Sequence, residues 1–283
     1  MRIDLHTHTT ASDGTASPEE LVALATQVGV GILAVADHDT TDSVDTVMAL
    51  GTQEDIEVIP AVELNTDVED SEVHVLGYFI DHHQPWLQEF LTVLRNGRAN
   101  RAATMVEKLN GLGIKLDYAK VQGYARGSVG RPHVARALVE TGAVRTVEEA
   151  FEKYIGRQGP AYVERMRVTP AEAVQTIARA GGIPVLAHPG WGARDDMIPD
   201  LIAAGLEGIE VYYPDHTPAM TMHYMRLAEQ YALLMTGGTD FHGTAVASKA
   251  PLGSQYVPME VVEKLKARHA AKRREKTGTE KSR

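Results

Sequence analysis

Ile32-Leu33-Ala34-Val35-Ala36-Asp37-His38-Asp39 is an apolar run that stops on three consecutive ionisable residues. A short continuous apolar stretch of this kind reads as a strand buried on both faces, the type found in parallel sheets. Ionisable groups placed together at its end are poor core material. Buried without partners, each costs on the order of several kcal/mol. The plainer reading is a polar turn in which Asp39 or Thr40 caps the next helix.

The same grammar repeats on both sides of this stretch. Upstream, Ile3 to His8 reads as a strand. Ser17-Pro18-Glu19-Glu20 opens a helix with a capping Ser, a Pro at the first position and a Glu at the third. That helix runs from Leu21 to Val28 and stops at Gly29. Downstream, a helix is expected after Thr41, and Glu57–Leu64 and Val73–Ile80 read as two more strands. The alternation resumes at Thr169 with a helix to Ala180. Strands at Ile183–Ala187, Gly208–Tyr213 and Leu233–Thr236 then alternate with helices near Asp196–Ala204 and from Thr217. Repeated β/α units imply an α/β fold with a parallel sheet, and this many units favour a closed, TIM-like barrel. From Trp86 to about Ile155 the signals are mostly helical, broken at Gly111, Gly113, Gly127 and Gly130. The expected organisation is therefore a barrel over residues 1–84 and 166–283, interrupted by a helical, substrate-capping insertion over 85–165. From Glu260 a short amphipathic helix leads into a charged end, Lys272-Arg273-Arg274 onward. This reads as a solvated terminus, with an electrostatic handle for RNA as the sharper alternative.

Histidines and carboxylates recur at the strand ends. His6 and His8 are two apart, so on a strand they share a face, and Asp13 follows in the next loop. Asp37, His38 and Asp39 end the second strand. Glu63 lies inside the apolar run Ile59-Pro60-Ala61-Val62-Glu63-Leu64, where an unpaired acid is expensive. His74 lies in a fourth strand. His188 ends a fifth, and Asp240 and His242 sit in Gly237-Gly238-Thr239-Asp240-Phe241-His242-Gly243. The flanking glycines suggest a backbone that approaches an ion or anion closely. Singly, each has a structural explanation, such as a turn aspartate or a satisfied core histidine. Together they gather at the C-terminal ends of strands, where β/α barrels carry their chemistry.

The chain has 283 residues, 43% of them hydrophobic, and no cysteine. Disulfides and thiolate ligands are excluded, so a metal would be held by nitrogen and oxygen, which suits manganese, iron, zinc or magnesium. The formal charge of −10 argues against binding long DNA or RNA. It leaves room for a small anion, because bound metals reverse the local field. No apolar run is long enough for a bilayer and the first residues lack a signal-peptide pattern, so a cytoplasmic location is expected.

With these residues in order, the chain resembles the polymerase and histidinol phosphatase (PHP) family of the amidohydrolase-like superfamily. The resemblance spans nearly the whole chain. It implies a distorted (β/α)7 barrel holding two to three divalent metal ions. It implies one ion held by His6, His8, Glu63 and Asp240. Glu63 would bridge to a second held with His74 and His188, and Asp13, His38 and His242 would hold a third. Asp13 stands where some members have histidine, which adds negative charge and weakens any preference for softer metals. Asp37 is expected to orient His38 from behind.

The layout looks most like the subgroup that removes the 3′-phosphate of nucleoside 3′,5′-bisphosphates and trims short RNA from its 5′ end. A metal-bridging hydroxide would be the nucleophile, and no Gly-x-Ser-x-Gly motif competes for that role. Arg131 and His133, at a helix start, are expected to contact a substrate phosphate, with Arg98 and Arg101 beside them on one helical face. Surface solvation competes for Arg98 and Arg101, and a helix-start salt bridge for Arg131. His216 is a candidate general acid and Tyr213 a candidate platform for a base. Two alternatives stay open: phosphatase action on another small monoester such as histidinol phosphate, and a binding module without catalysis. His82, His83, His223 and His269 are given no role.

Overall fold

The structure is a computed structural model that describes residues 1–68, 71–125, 129–164, 168–191, 194–244 and 250–280. Gly127 and the expected boundary at 166 lie outside the described residues, as does the end of the charged tail. Seven strands lie side by side in chain order: β1 Arg2–Thr7, β2 Val30–Val35, β3 Glu57–Val68, β4 Ser71–Tyr78, β5 Ile183–Leu186, β6 Gly208–Tyr212 and β7 Leu234–Gly237. Helices α1 Pro18–Val28 and α2 Val44–Gln53 follow the first two strands. Helices α7 Pro170–Arg179, α8 Ile198–Ala204, α9 Pro218–Gln230 and α10 Met259–Glu280 accompany the last three.

Local signals account for the helix ends. Glu20 N–H donates to the Ser17 hydroxyl while Ser17 N–H donates to the Glu20 carboxylate, and Gly29 stops α1 at φ 74°. Thr169 and Glu172 repeat this box on α7. Ser43, rather than Asp39 or Thr40, precedes α2, and its hydroxyl is turned to Asp37 instead of capping.

The sheet is mixed, which corrects the all-parallel expectation. Pairs β1–β2, β2–β3, β5–β6 and β6–β7 are parallel, but β4 runs antiparallel to both neighbours. The reason is the link: β3 ends at Val68 and β4 begins at Ser71, and a parallel return needs a dozen residues or more. Small residues Ala34, Ala36, Ala61 and Ala187 pack inside with Leu5, Ile59, Leu76 and Tyr78, and Val261, Val262 and Leu265 of α10 close this cluster. The Tyr78 hydroxyl donates to the Leu5 carbonyl at 3.0 Å, joining β4 to β1. Past β7 the chain meets β1 again through a parallel bridge, Thr7 to Phe241, with His8 N–H donating to Phe241 O at 2.8 Å.

Between β4 and α7 run α3 Pro85–Gly111, α4 Tyr118–Tyr124, α5 Arg131–Glu140 and α6 Val147–Ala150, which continues into a π-helical turn, Phe151–Ile155. Helix α3 works at both ends. Its first half buries Leu87, Leu91 and Leu94 against the strands and outer helices. Its second half buries Ala102, Met105, Val106 and Leu109 in a separate apolar cluster with Val134, Leu138 and Ile155. Each fully buried Leu of this kind contributes roughly 2 kcal/mol. The tail is helical through Glu280, not a short helix with a loose end. Arg268 and Lys272 both pair with Glu207, and Lys272 also donates to Gly182 O at 2.7 Å. No helix among the described residues is long and apolar enough to cross a membrane.

Candidate metal centre

Glu63 is the hub. In the β3–β4 register it stands opposite Leu76, and His74, two residues before Leu76, shares that face. One Glu63 oxygen, Oε2, lies 3.2 Å from His6 Nε2, 3.3 Å from His8 Nε2 and 3.0 Å from His38 Nδ1. The other, Oε1, lies 2.9 Å from His74 Nδ1 and 3.1 Å from His188 Nε2. Asp240 Oδ1 adds contacts of 3.0 Å to His8 Nε2 and 3.5 Å to His6 Nε2. Asp13 stands on the far side, 3.4 Å from His242 Nε2 and 3.9 Å from His38 Nε2. All nine residues read from the sequence are thus brought together.

The donors form three overlapping groups: His6, His8, Glu63 and Asp240; His38, Glu63 and His74; and His8, Asp13, His38 and His242. His38 and His8 are shared between groups, a finer arrangement than sequence order implies. Several atoms are close without being aligned as hydrogen bonds. His6 Nε2, His8 Nε2, His74 Nε2, Glu63 Oε2 and Asp13 Oδ1 are buried and lack a hydrogen-bond partner. Buried polar atoms left this way are costly, and imidazole and carboxylate donors converging on shared points fit divalent ions. The residues present therefore fit the metals that the sequence implies.

The electrostatics agree. Burial opposes a charge on His6, yet the Glu210, Glu63 and Asp240 carboxylates hold its pKa well above the ordinary value. Burial also opposes protonation of His8, but Asp240 and Glu63 raise it to about 9. Burial pushes Asp13 and Glu63 upward, but the surrounding imidazoles hold both well below the usual carboxylate range. In the metal-free protein, protons on histidine thus stand in for cations.

Behind the donors lies a layer that sequence reading missed. Glu210 of β6 is fully buried. Its Oε1 lies 3.0 Å from His6 Nδ1 and its Oε2 accepts the His188 N–H at 2.8 Å. A lone acid inside Gly208-Ile209-Glu210-Val211-Tyr212 is the signal that marked Glu63, and it was there to be read. Asp4 accepts N–H bonds from Thr239 and Gly253, fixing the approach to Asp240. Asp37 does not orient His38. It accepts from Thr9 N–H and hydroxyl at 2.7 Å each and from Ser12 at 2.6 Å, and so shapes the loop that carries Asp13. Asn65 instead reaches His38 Nδ1 at 2.9 Å.

Two further expectations are revised. Tyr213 is buried, at 3% exposure, and its hydroxyl donates to Asp240 Oδ2 at 3.1 Å, so it steadies a donor and offers no face to a base. His216 is buried with Nδ1 3.0 Å from Val211 O and Nε2 accepting Gly190 N–H at 3.3 Å, which leaves neither nitrogen for acid catalysis. The glycines around Asp240 make room for neighbouring protein. A Cβ on Gly238 would fall 2.4 Å from His6 N, so Gly238 lets the chain pass β1. His82 and His83 meet Asp45, His223 meets Asp195, and His269 stacks on Phe79.

The donors open into a cavity of about 960 Å³, lined on its other side by Arg98, Arg101, Arg131, His133 and Arg136. Arg98 pairs with Asp39 at 2.7 Å, and Arg131 pairs with Glu72, which lines the same cavity. Arg101 Nε donates to Val163 O at 2.6 Å. His133 Nδ1 accepts Gly130 N–H at 3.0 Å, so its proton sits on Nε2. Burial, first of all, lowers its pKa and keeps the ring neutral.

A curled mixed sheet with buried histidines and carboxylates gathered at strand ends, opening into a cavity that also holds four arginines, defines a metal-dependent hydrolase of anionic esters. The sequence profile of the PHP domain family matches residues 4–155. A 5′-3′ exoribonuclease of Haemophilus influenzae is 35% identical over 247 residues, spanning 85% of this chain and 90% of that protein. A 3′,5′-nucleoside bisphosphate phosphatase of Chromobacterium violaceum is 34% identical over 251 residues, 85% of this chain and 87% of that protein. An amidohydrolase structure from Chromobacterium violaceum, with bound sulfate and no metal, superposes with a TM-score of 0.86 at 30% identity, covering 95% of this chain and 97% of that one. The chain belongs to the PHP domain family and is a phosphoesterase, a hydrolase acting on phosphoric ester bonds.

Proposed function

We propose that this phosphoesterase removes the 3′-phosphate of nucleoside 3′,5′-bisphosphates and also trims short RNA from the 5′ end. One observation carries the reading: a single cavity joins the carboxylate–histidine cluster to a separate group of phosphate-binding candidates, the guanidinium groups of Arg98, Arg101, Arg131 and Arg136 and the neutral imidazole of His133. A substrate with two phosphates uses both ends. The names of the relatives from Haemophilus influenzae and Chromobacterium violaceum agree with it.

The overlapping donor groups support two to three divalent ions, of manganese, iron or zinc. When bound, such ions supply Lewis acidity to the phosphoryl group and acidify water. The protein's own residues do the remainder. His6, His8, Glu63, His74, His188 and Asp240 hold the reacting end, and Asp13, His38 and His242 extend it. Arg131 forms a fork suited to phosphate and exchanges Glu72 for it. His133 offers a neutral Nε2–H. Arg101, tied to Val163, positions the helical cap over residues 85–165 more than it grips substrate. We also infer that the seven strands act as a distorted barrel, supported by the Thr7–Phe241 bridge and the Tyr78–Leu5 bond.

The test is phosphate release by the manganese-loaded protein from adenosine 3′,5′-bisphosphate beside 5′-AMP, 3′-AMP and histidinol phosphate. Selective loss of the 3′-phosphate from the bisphosphate is expected. Equal turnover of all four, or of histidinol phosphate alone, overturns the substrate assignment.

A further inference from the structure

We propose that Asp45, His82 and His83 form a separate zinc site on the outside of the fold, clipping the first turn of α2 to the base of α3.

Among the described residues, these three make the one donor group that shares no residue with the metal centre. They come from two parts of the chain. Asp45 stands in the first turn of α2, and His82 and His83 lie in the link from β4 to α3. His82 Nε2 lies 2.9 Å and His83 Nε2 3.5 Å from the same oxygen, Asp45 Oδ1. The two rings sit side by side, with centroids 4.1 Å apart. Tetrahedral zinc, with ligands at about 2.0 Å, places its ligand atoms about 3.3 Å from one another. The two measured separations bracket that spacing. Two imidazoles and a carboxylate suit zinc, and the fourth position is left to water.

The donors are set on firm supports. Gln88 Nε2 donates to the His82 carbonyl and to the Thr41 hydroxyl, at 2.5 and 2.8 Å, and so ties the link to the residues before α2. The His82 ring is 11% exposed, while the side chains of His83 and Asp45 are each 69% exposed. One donor is thus held from behind and two face solvent, where an ion can enter. An exposed ion pair contributes only about 0–1 kcal/mol, so a shared cation accounts better for two imidazoles on one oxygen. The site also has a place in the architecture. The chain before Asp45 runs back to His38, a donor of the metal centre, and α3 holds it through Arg95 to Asp42 and Arg98 to Asp39. Zinc adds a further tie at the joint where the helical segment leaves the sheet.

The test compares manganese-loaded wild-type protein with Asp45→Asn and His83→Ala. Both positions are largely exposed, and circular dichroism checks that the variants fold. After equilibration with zinc and gel filtration, wild type is expected to hold one more equivalent of total metal, manganese plus zinc, than either variant. Exchange of manganese for zinc at the centre leaves that total unchanged. The second readout needs no variant. Zinc at about 10 times its Kd is expected to slow diethyl pyrocarbonate modification of His83 in wild type by about 10-fold, read by mass spectrometry of its peptide. Equal metal totals in all three proteins, or modification of wild-type His83 at the same rate with and without zinc, overturns the proposal.

Discussion

Glu63 and Glu210 are both acids inside apolar strands, yet they have opposite tasks. Glu63 offers both oxygens to imidazoles on two sides, so Glu63→Gln is expected to lose at least one equivalent of bound metal, read by elemental analysis of the purified protein. Glu210 faces away from the donors' free atoms. By accepting from His6 Nδ1 it keeps the proton there and leaves Nε2 for an ion, and by accepting His188 N–H it holds a residue strained at φ 25°. In Glu210→Gln the amide offers N–H where an acceptor is needed, which favours the wrong His6 tautomer. Metal affinity is expected to fall ~10- to 100-fold, measured by manganese titration. Unchanged affinity would show that His6 needs no such support.

At the scale of elements, the site depends on how closely the end strands pass. Gly238 sits where any side chain strikes the His6 backbone. Gly238→Ala is expected to destabilise the protein by about 1–3 kcal/mol, read as a lower denaturant midpoint, and to weaken metal binding along with it. The helical segment is fixed differently. The second half of α3 contributes apolar contacts, while buried Arg101 ties α3 to Val163. Arg101→Met keeps the aliphatic volume but leaves that carbonyl without its donor. Its main expected effect is a loss of about 1–3 kcal/mol in stability, with kcat changing less than KM. A large loss of kcat alone would show that the guanidinium acts on substrate.

Over the whole molecule, the buried carboxylates need positive charge, and protons and metals compete to supply it. His6 and His8 are held protonated at neutral pH in the metal-free protein. A metal needs them neutral. Loading manganese at pH 7 is therefore expected to release protons, and apparent affinity rises with pH through about 9, where His8 is half deprotonated. The sign for folding follows. The raised His8 pKa stabilises the metal-free protein fully below its unfolded value of 6.5, and this is lost as pH climbs through about 9. Thermal melts of chelator-treated protein should weaken across that window. Metal at 100 times its Kd adds about 2.7 kcal/mol, so the loaded protein melts higher throughout. pH-independent loading without proton release would contradict this account.

Local chemistry was legible in the chain. Capping at Ser17 and Thr169, the stop at Gly29, the order of strands and helices, and the donor residues at strand ends all follow from near neighbours, where side-chain period and turn preference act. Glu210 was equally legible, as an unpaired acid in an apolar strand. The rest depended on what meets across long separations in sequence. Only the folded chain turns Tyr213 onto Asp240, engages both nitrogens of His216 with backbone, and sends Asp37 to the Asp13 loop. Only the register shows that His8 and His38 serve more than one donor group and that Asp45 meets His82 and His83 from another part of the chain. The sequence determined which donors exist and roughly where each strand ends. The tertiary structure decided which of them share a point in space, because hydrogen bonds and metal ligation depend on ångström distances that neighbours in sequence do not set.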